Sequence, residues 1–118
     1  MNFCQFIENI DVHVIDYSGK IDFKEGLSRI ELLENYLKPY ISRVAPLKLL
    51  IDFRNTEWES LEVHDLLSKA ARQKFGTEPK NSNRYTAILN NQYSCPSFKN
   101  EHWFTNKEEA INWLSQQK

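Results

Sequence analysis

Apolar residues recur along this chain with two periods, and the changes from one to the other mark its elements. Residues 2–8 alternate Phe3, Gln5 and Ile7 with Cys4, Phe6 and Glu8, the two-residue period of a short strand. Asn9-Ile10-Asp11 reads as a tight turn, and Val12 to Tyr17 as a second strand. Two short strands so close pair as an antiparallel hairpin, closed by the turn residues Ser18 and Gly19. Asp22, with Glu25 three residues on, has the form of a helix start. Leu27, Ile30, Leu33, Leu37 and Ile41 then recur at three- and four-residue spacings, one apolar helix stripe. Pro39 removes a helix hydrogen bond and disfavours helical geometry at Lys38, which predicts a stop or kink there.

The organising stretch follows. Leu47 to Phe53 contains Leu49-Leu50-Ile51 without strict alternation, the pattern of a strand covered on both faces. The link to it from the second strand holds a helix and about thirty residues, which fits a right-handed crossover between parallel strands. Thr56 and Glu59 form a capping box with Ser60 a competing cap. Val63, Leu66, Leu67, Ala70, Ala71 and Phe75 line one face of the second helix, and Gly76 is the C-cap. Residues 77–83 read as a polar loop, Arg84 to Leu89 as a fourth strand, and Gln92 to Asn100 as a segment with neither helix nor strand signal. His102 to Phe104 is a short last strand. Thr105 and Glu108 form a capping box before a final helix with Ala110, Ile111, Trp113 and Leu114 facing inward. The order is β-β-α-β-α-β-β-α in one domain, 1–118, and predicts an α/β fold: a single mixed sheet with helices packed on it. The strand, turn and helix from Lys48 to Phe75 carry the expected site, since a strand's carboxyl end and a helix's amino end converge there.

Composition narrows the function classes. At 118 residues, with 41% hydrophobic and 26% charged positions, the chain supports one core and is not wholesale disordered. Fifteen basic residues against sixteen acidic ones give a net charge of -1, which argues against nucleic acid as the main partner. Apolar runs of about three residues exclude a membrane-spanning helix. The amino end lacks the pattern of a signal peptide, and Cys4 and Cys95 alone make no disulfide scaffold, so a cytoplasmic location is expected.

A hairpin, a helix, a strand ending Ile51-Asp52-Phe53-Arg54 and a further helix resemble the STAS-like group. That group includes the bacterial anti-sigma-factor antagonists and a broader branch of small uncharacterised proteins. The ending from Trp103 to Leu114 looks like the aromatic-Phe-Thr…Glu-Ala…Trp-Leu ending of that branch. The resemblance covers nearly the whole chain and implies a STAS-like fold and a bacterial regulatory or signalling module that is not an enzyme. In the antagonists such a strand precedes an Asp-Ser-Ser-Gly turn whose serine is phosphorylated. Here the turn reads Asn55-Thr56-Glu57-Trp58-Glu59-Ser60, with no Ser-Gly pair. Ser60 is nearest the phosphoacceptor position, but Glu57, Glu59 and Glu62 would repel a phosphate, so capping is the favoured role.

Chemistry is sparse. Gly19, Gly26 and Gly76 are too few and too scattered for a dinucleotide fingerprint or a phosphate loop. His13, His64 and His102 lack metal-ligand spacing, so neither metal nor cofactor is expected. His64 and Asp65 lie about 100° apart on a helix, which disfavours an acid–base pair and leaves His64 as solvated surface. Cys95, before Pro96, lacks a partner cysteine at redox spacing. Lys69, Arg72, Lys74, Lys80 and Arg84 concentrate positive charge, read as a solvated face or as a dock for an acidic partner. Arg54, with Asp52 and Asn55, either holds an anion with help from helix amides or fixes the turn. Trp58 caps an apolar pocket, anchors a partner or packs on the first helix. The expected site is therefore Asp52, Arg54, Asn55, Trp58, Ser60 and His64, recognising a protein partner. The alternative is a small apolar or lipid-like ligand, as in the related CRAL-TRIO domains, in a pocket of Trp58, Leu67 and Phe98. Phe3 and Phe6 suggest apolar surface on both faces of the hairpin, whose edge is compatible with a homodimer.

Overall fold

Alternating residues of the strands send their side chains to opposite faces of one sheet, and each face is roofed by different helices. The computed structural model describes residues 3–41, 46–75, 84–90 and 100–117. The elements are β1 (Cys4–Ile7), β2 (Val12–Asp16), β3 (Gly19–Ile21), α1 (Phe23–Ile41), β4 (Leu47–Asp52), β5 (Thr56–Trp58), α2 (Leu61–Phe75), β6 (Arg84–Leu89), β7 (Glu101–Phe104) and α3 (Lys107–Ser115). Five strands form a mixed sheet in the order β1-β2-β4-β6-β7, with β1 antiparallel to β2 and the other neighbours parallel. Val12, Leu50, Ala87 and Leu89 bury one face against Ala110 and Leu114 of α3. Ile15 and Leu49 bury the other against Leu33 and Leu37 of α1. Ile21, Ile30, Val63 and Leu67 join α1 to α2 on that second face.

Several expectations need correction. Thr56 is no helix cap: β5 pairs in parallel with β3 as a separate two-stranded sheet, and the Thr56 hydroxyl donates to the Tyr17 carbonyl at 2.8 Å. α1 runs through Pro39 to Ile41; the proline sits in the last turn, where only one or two ladder bonds are at stake. The cap of α3 is Asn106, whose Oδ1 accepts from the Glu109 amide at 3.1 Å, one residue later than the expected Thr105. Leu27 is 40% and Leu66 46% exposed instead of lining the helix stripes. The inward places beside them belong to Gly26 and Leu67, which meet so closely that a methyl on Gly26 would overlap the Leu67 side chain. Phe3 packs on Tyr17, and Phe6 on His13 and Tyr40, so both rings turn toward the α1 side and not to opposite faces. Gly76, residues 77–83 and the segment 91–99 with Cys95 and Phe98 lie outside the described residues, as do the side chains of Ile41, Arg72, Lys74 and Phe75.

The adjacent leucines of α2 separate the two environments. Leu67→Ala should cost about 2–5 kcal/mol, as expected for a buried leucine, whereas Leu66→Ala should stay within about 0.5 kcal/mol. Urea unfolding of the two variants side by side checks the assignment, and equal losses would contradict it.

Candidate functional site

β4 ends at Asp52, and the chain must turn there to reach β5 and α2. Asp52 Oδ1 accepts from the Arg54 amide and from Arg54 Nε, both at 3.0 Å, while Oδ2 accepts from Nη2 at 2.9 Å. The guanidinium fork thus meets the carboxylate two residues away with both prongs, the geometry in which arginine pairs most strongly. Burial alone raises the Asp52 pKa, but the bonds from the Arg54 side chain and amide, with the charges of Arg54 and Lys107, outweigh it and hold the carboxyl below its ordinary value. Of the two readings of Arg54, the geometry favours the one in which it fixes the turn.

The turn is tied down further by β3. The Gly19 amide donates to the Asn55 carbonyl at 3.0 Å, and the Glu59 amide to the Ile21 carbonyl at 2.9 Å. The Asn55 side chain stays at the exposed surface. Ser60 caps α2, its Oγ accepting from the Val63 amide at 3.1 Å. In β5 the strand alternation exposes Glu57 and turns Trp58 inward, so its glutamate neighbours along the chain do not share its surroundings. The Trp58 ring packs 5.5 Å from Phe53 and stands edge-on to His64 at 4.9 Å. His64 is therefore not solvated surface: its side chain is only 12% exposed. Its Nδ1 also lies 3.2 Å from Asp65 Oδ1, a contact that the 100° between adjacent helix positions does not prevent.

Trp58 and His64 open onto a cavity of about 120 Å³ between the two helices and the sheet. α1 contributes Gly26, Ile30, Leu33 and Leu37, and α2 contributes Leu67, Ser68 and Ala71 beyond His64. The floor is set by strand register. One row runs Leu49, Thr86, Glu101, and the next runs Ile51, Ile88, Trp103. Arg84, at the start of β6, lines the same end as Thr86 and Glu101. The indole N–H of Trp103 is buried with no hydrogen-bond partner among the described residues. Trp58 and Leu67 line the cavity as expected, while Phe98 lies outside the described residues.

Of the six residues nominated from the sequence, the structure brings only Trp58 and His64 into the cavity; Asp52 and Arg54 lock the turn and Ser60 caps the helix. Sequence reasoning missed Thr86, Glu101 and Trp103 and took Arg84 for surface charge. A signal was present: Arg84, Thr86 and Ile88 alternate with the apolar Tyr85, Ala87 and Leu89, and a polar half-face on a covered strand marks a lined space. The Cys4 thiol, half-buried, is pushed up to about 11 by burial and is a poor nucleophile. Among the described residues no three His, Cys, Asp or Glu side chains are placed to hold a metal ion, and no helix is long and apolar enough to cross a membrane.

No family model and no curated protein sequence matches the chain. Its structure is similar to that of an uncharacterised protein of the DUF3478 family from Shewanella loihica PV-4, described as having a SpoIIAA-like fold. The TM-score is 0.57 at 17% identity, over 94% of this chain and 90% of that one. The chain thus has the SpoIIAA-like, or STAS-like, α/β fold that its sequence pattern resembles.

Two substitutions test the junction. Arg54→Met should lower stability by about 1 kcal/mol at pH 7, the scale of a partly exposed pair. A lowered native pKa contributes stability above the ordinary carboxylate value of about 3.9 and loses it as pH falls through the native one. The deficit of the variant should therefore shrink toward pH 3 in urea titrations, and a deficit independent of pH would contradict the pairing. Ser60→Ala should cost about 1 kcal/mol through loss of the cap, read as a lower urea midpoint at an unchanged slope.

Proposed function

We propose that this chain is a small binding module that holds a mainly apolar ligand in the cavity beside the β4–β5–α2 junction. One observation carries the reading: Trp58 and His64, the two nominated residues with the most recognition chemistry, face the cavity and not the solvent. Apolar cavities with a few convergent polar groups are the usual form of small-molecule sites. An apolar cavity of about 150 Å³ accommodates a benzene ring; this one, at about 120 Å³, is smaller but of the same order, which limits an occupant to about one small ring. The STAS-like fold supports a regulatory setting in the bacterial cytoplasm, in which occupancy of the cavity would be the signal.

A protein partner docking on the turn is the second reading. Leu61, 62% exposed directly after the turn, favours it. Trp58, the anchor it was expected to use, is turned away from such a surface.

Native mass spectrometry separates the two. Protein purified from its native host should carry a small-molecule adduct, and Ala71→Phe, which places a ring in the cavity, should cut that occupancy by about tenfold or more, equivalent to about 1.4 kcal/mol of binding. Leu61→Ala should leave it unchanged. A wild-type protein free of adducts, whose capture of a partner protein is abolished by Leu61→Ala alone, would decide for the second reading.

A further inference from the structure

The cavity under α2 owes part of its room to a residue on α1. Gly26 and Leu67 both line it, and both are buried. A Cβ built on Gly26 would fall among the Cγ and the two Cδ atoms of Leu67, which are its nearest neighbours. The leucine side chain therefore rests in the place that a side chain at position 26 would take. Ile30 lies one turn beyond Gly26, and Val63 one turn before Leu67, so each shares a helix face with its partner. Together with Ile21 and Leu67 they form one buried cluster that flanks the seat.

An overlap at this contact has one cheap way to relax. What meets the added Cβ is the outer end of a flexible side chain, so rotation of Leu67 costs less than movement of either helix. A leucine in a helix has two favoured χ1 wells, which makes leaving the seat a discrete swing. Ile21, Ile30 and Val63 are buried and fill their own side of Leu67. The unfilled volume that borders the leucine is the cavity. At about 120 Å³ it is on the scale of one small ring, so a leucine turned into it takes the space that the ligand needs.

We infer that Gly26 is a positioning residue of the ligand site, acting through Leu67. With no side chain at position 26 the leucine is parked between the helices, and the cavity admits one small apolar ring. A side chain at position 26 turns the leucine inward and shuts the ring out. The inference rests on the cavity reading above and adds the contact that controls what the cavity takes.

Benzene, titrated into the full chain and followed by methyl and backbone amide NMR, is the probe. The wild-type protein should show saturable shifts at Ile51, Ala71 and Ile88. Gly26→Ala should weaken benzene binding at least about tenfold, and its Leu67 methyls should gain nuclear Overhauser contacts with Ile88. Gly26→Ala/Leu67→Ala should recover the affinity to within about threefold of wild type. Loss of packing alone would not give that recovery, because the double variant removes more packing than the single one. If folded Gly26→Ala binds benzene as the wild type does, or if the double variant stays as weak as the single one, the inference is overturned while the cavity reading stands. If the wild-type protein shows no shift up to the solubility limit of benzene, the cavity reading falls and takes the inference with it. Should Gly26→Ala not fold, the wild-type protein decides: its Leu67 methyls should contact the Gly26 α-protons both with and without benzene, and loss of that contact in either state overturns the inference.

Discussion

Where Gly26 lacks a side chain, Leu67 of α2 occupies the space, and the geometry of the site depends on that contact. A residue with a Cβ there would displace the Leu67 side chain, whose Cγ and Cδ atoms stand where the added group would be built. With glycine, α1 and α2 close over the sheet as a continuous roof, joined at Ile30, Val63 and Leu67. The helices' mutual approach pushes Leu27 and Leu66 out to solvent, and beneath the roof it leaves the cavity. The apolar stripes of the two helices are therefore set as much by where they touch each other as by where they touch the sheet.

A second constraint orients what enters the cavity from the junction. The Asp52–Arg54 fork and the backbone bonds from Gly19 and to Ile21 hold residues 52–59 rigidly against β3. In that frame the pairing of Ile21 with Trp58 fixes which way the indole turns. Charged groups at the end of a central strand thus serve position, and the aromatic they position lines the cavity. The acid lability expected of the pair follows from the same bonds.

The architecture was legible because its longer elements carry clear patterns: the helix stripe from Ile30 to Leu37 and the doubly covered Leu49-Leu50-Ile51. β3 and β5 were not legible, since three residues are too few to show a period and Gly19-Lys20-Ile21 and Thr56-Glu57-Trp58 carry turn and charge signals. Caps were placed within a residue where two capping side chains adjoin, as Thr105 and Asn106 do. His64 was misassigned because its burial comes from Trp58, a neighbour made by the β3–β5 pairing and not by the helix. The alternation that sets Arg84 and Thr86 on one face of β6 is local, but Glu101 joins them only through the register of β6 with β7, a long-range pairing that no local pattern encodes.

The position of the cavity follows from topology. Open α/β sheets place ligands in a crevice outside the strands' carboxyl ends where the strand order reverses, and that rule directed attention to the end of β4. Here the parallel strands run β2-β4-β6-β7 without reversal, and the helices that link β2 to β4 and β4 to β6 both lie on one face. Beside the carboxyl ends of β2 and β4, Tyr17, Phe53 and Trp58 pack ring against ring in tilted pairs, at centroid distances of 5.0 and 5.5 Å. Space is left further down, under α2, where Ser68 and Ala71 face Thr86 across the gap and three small side chains stand where larger ones would have met. A sheet wound in one direction thus leaves this space in the layer between helix and strand, and the size of those three residues sets its dimensions there.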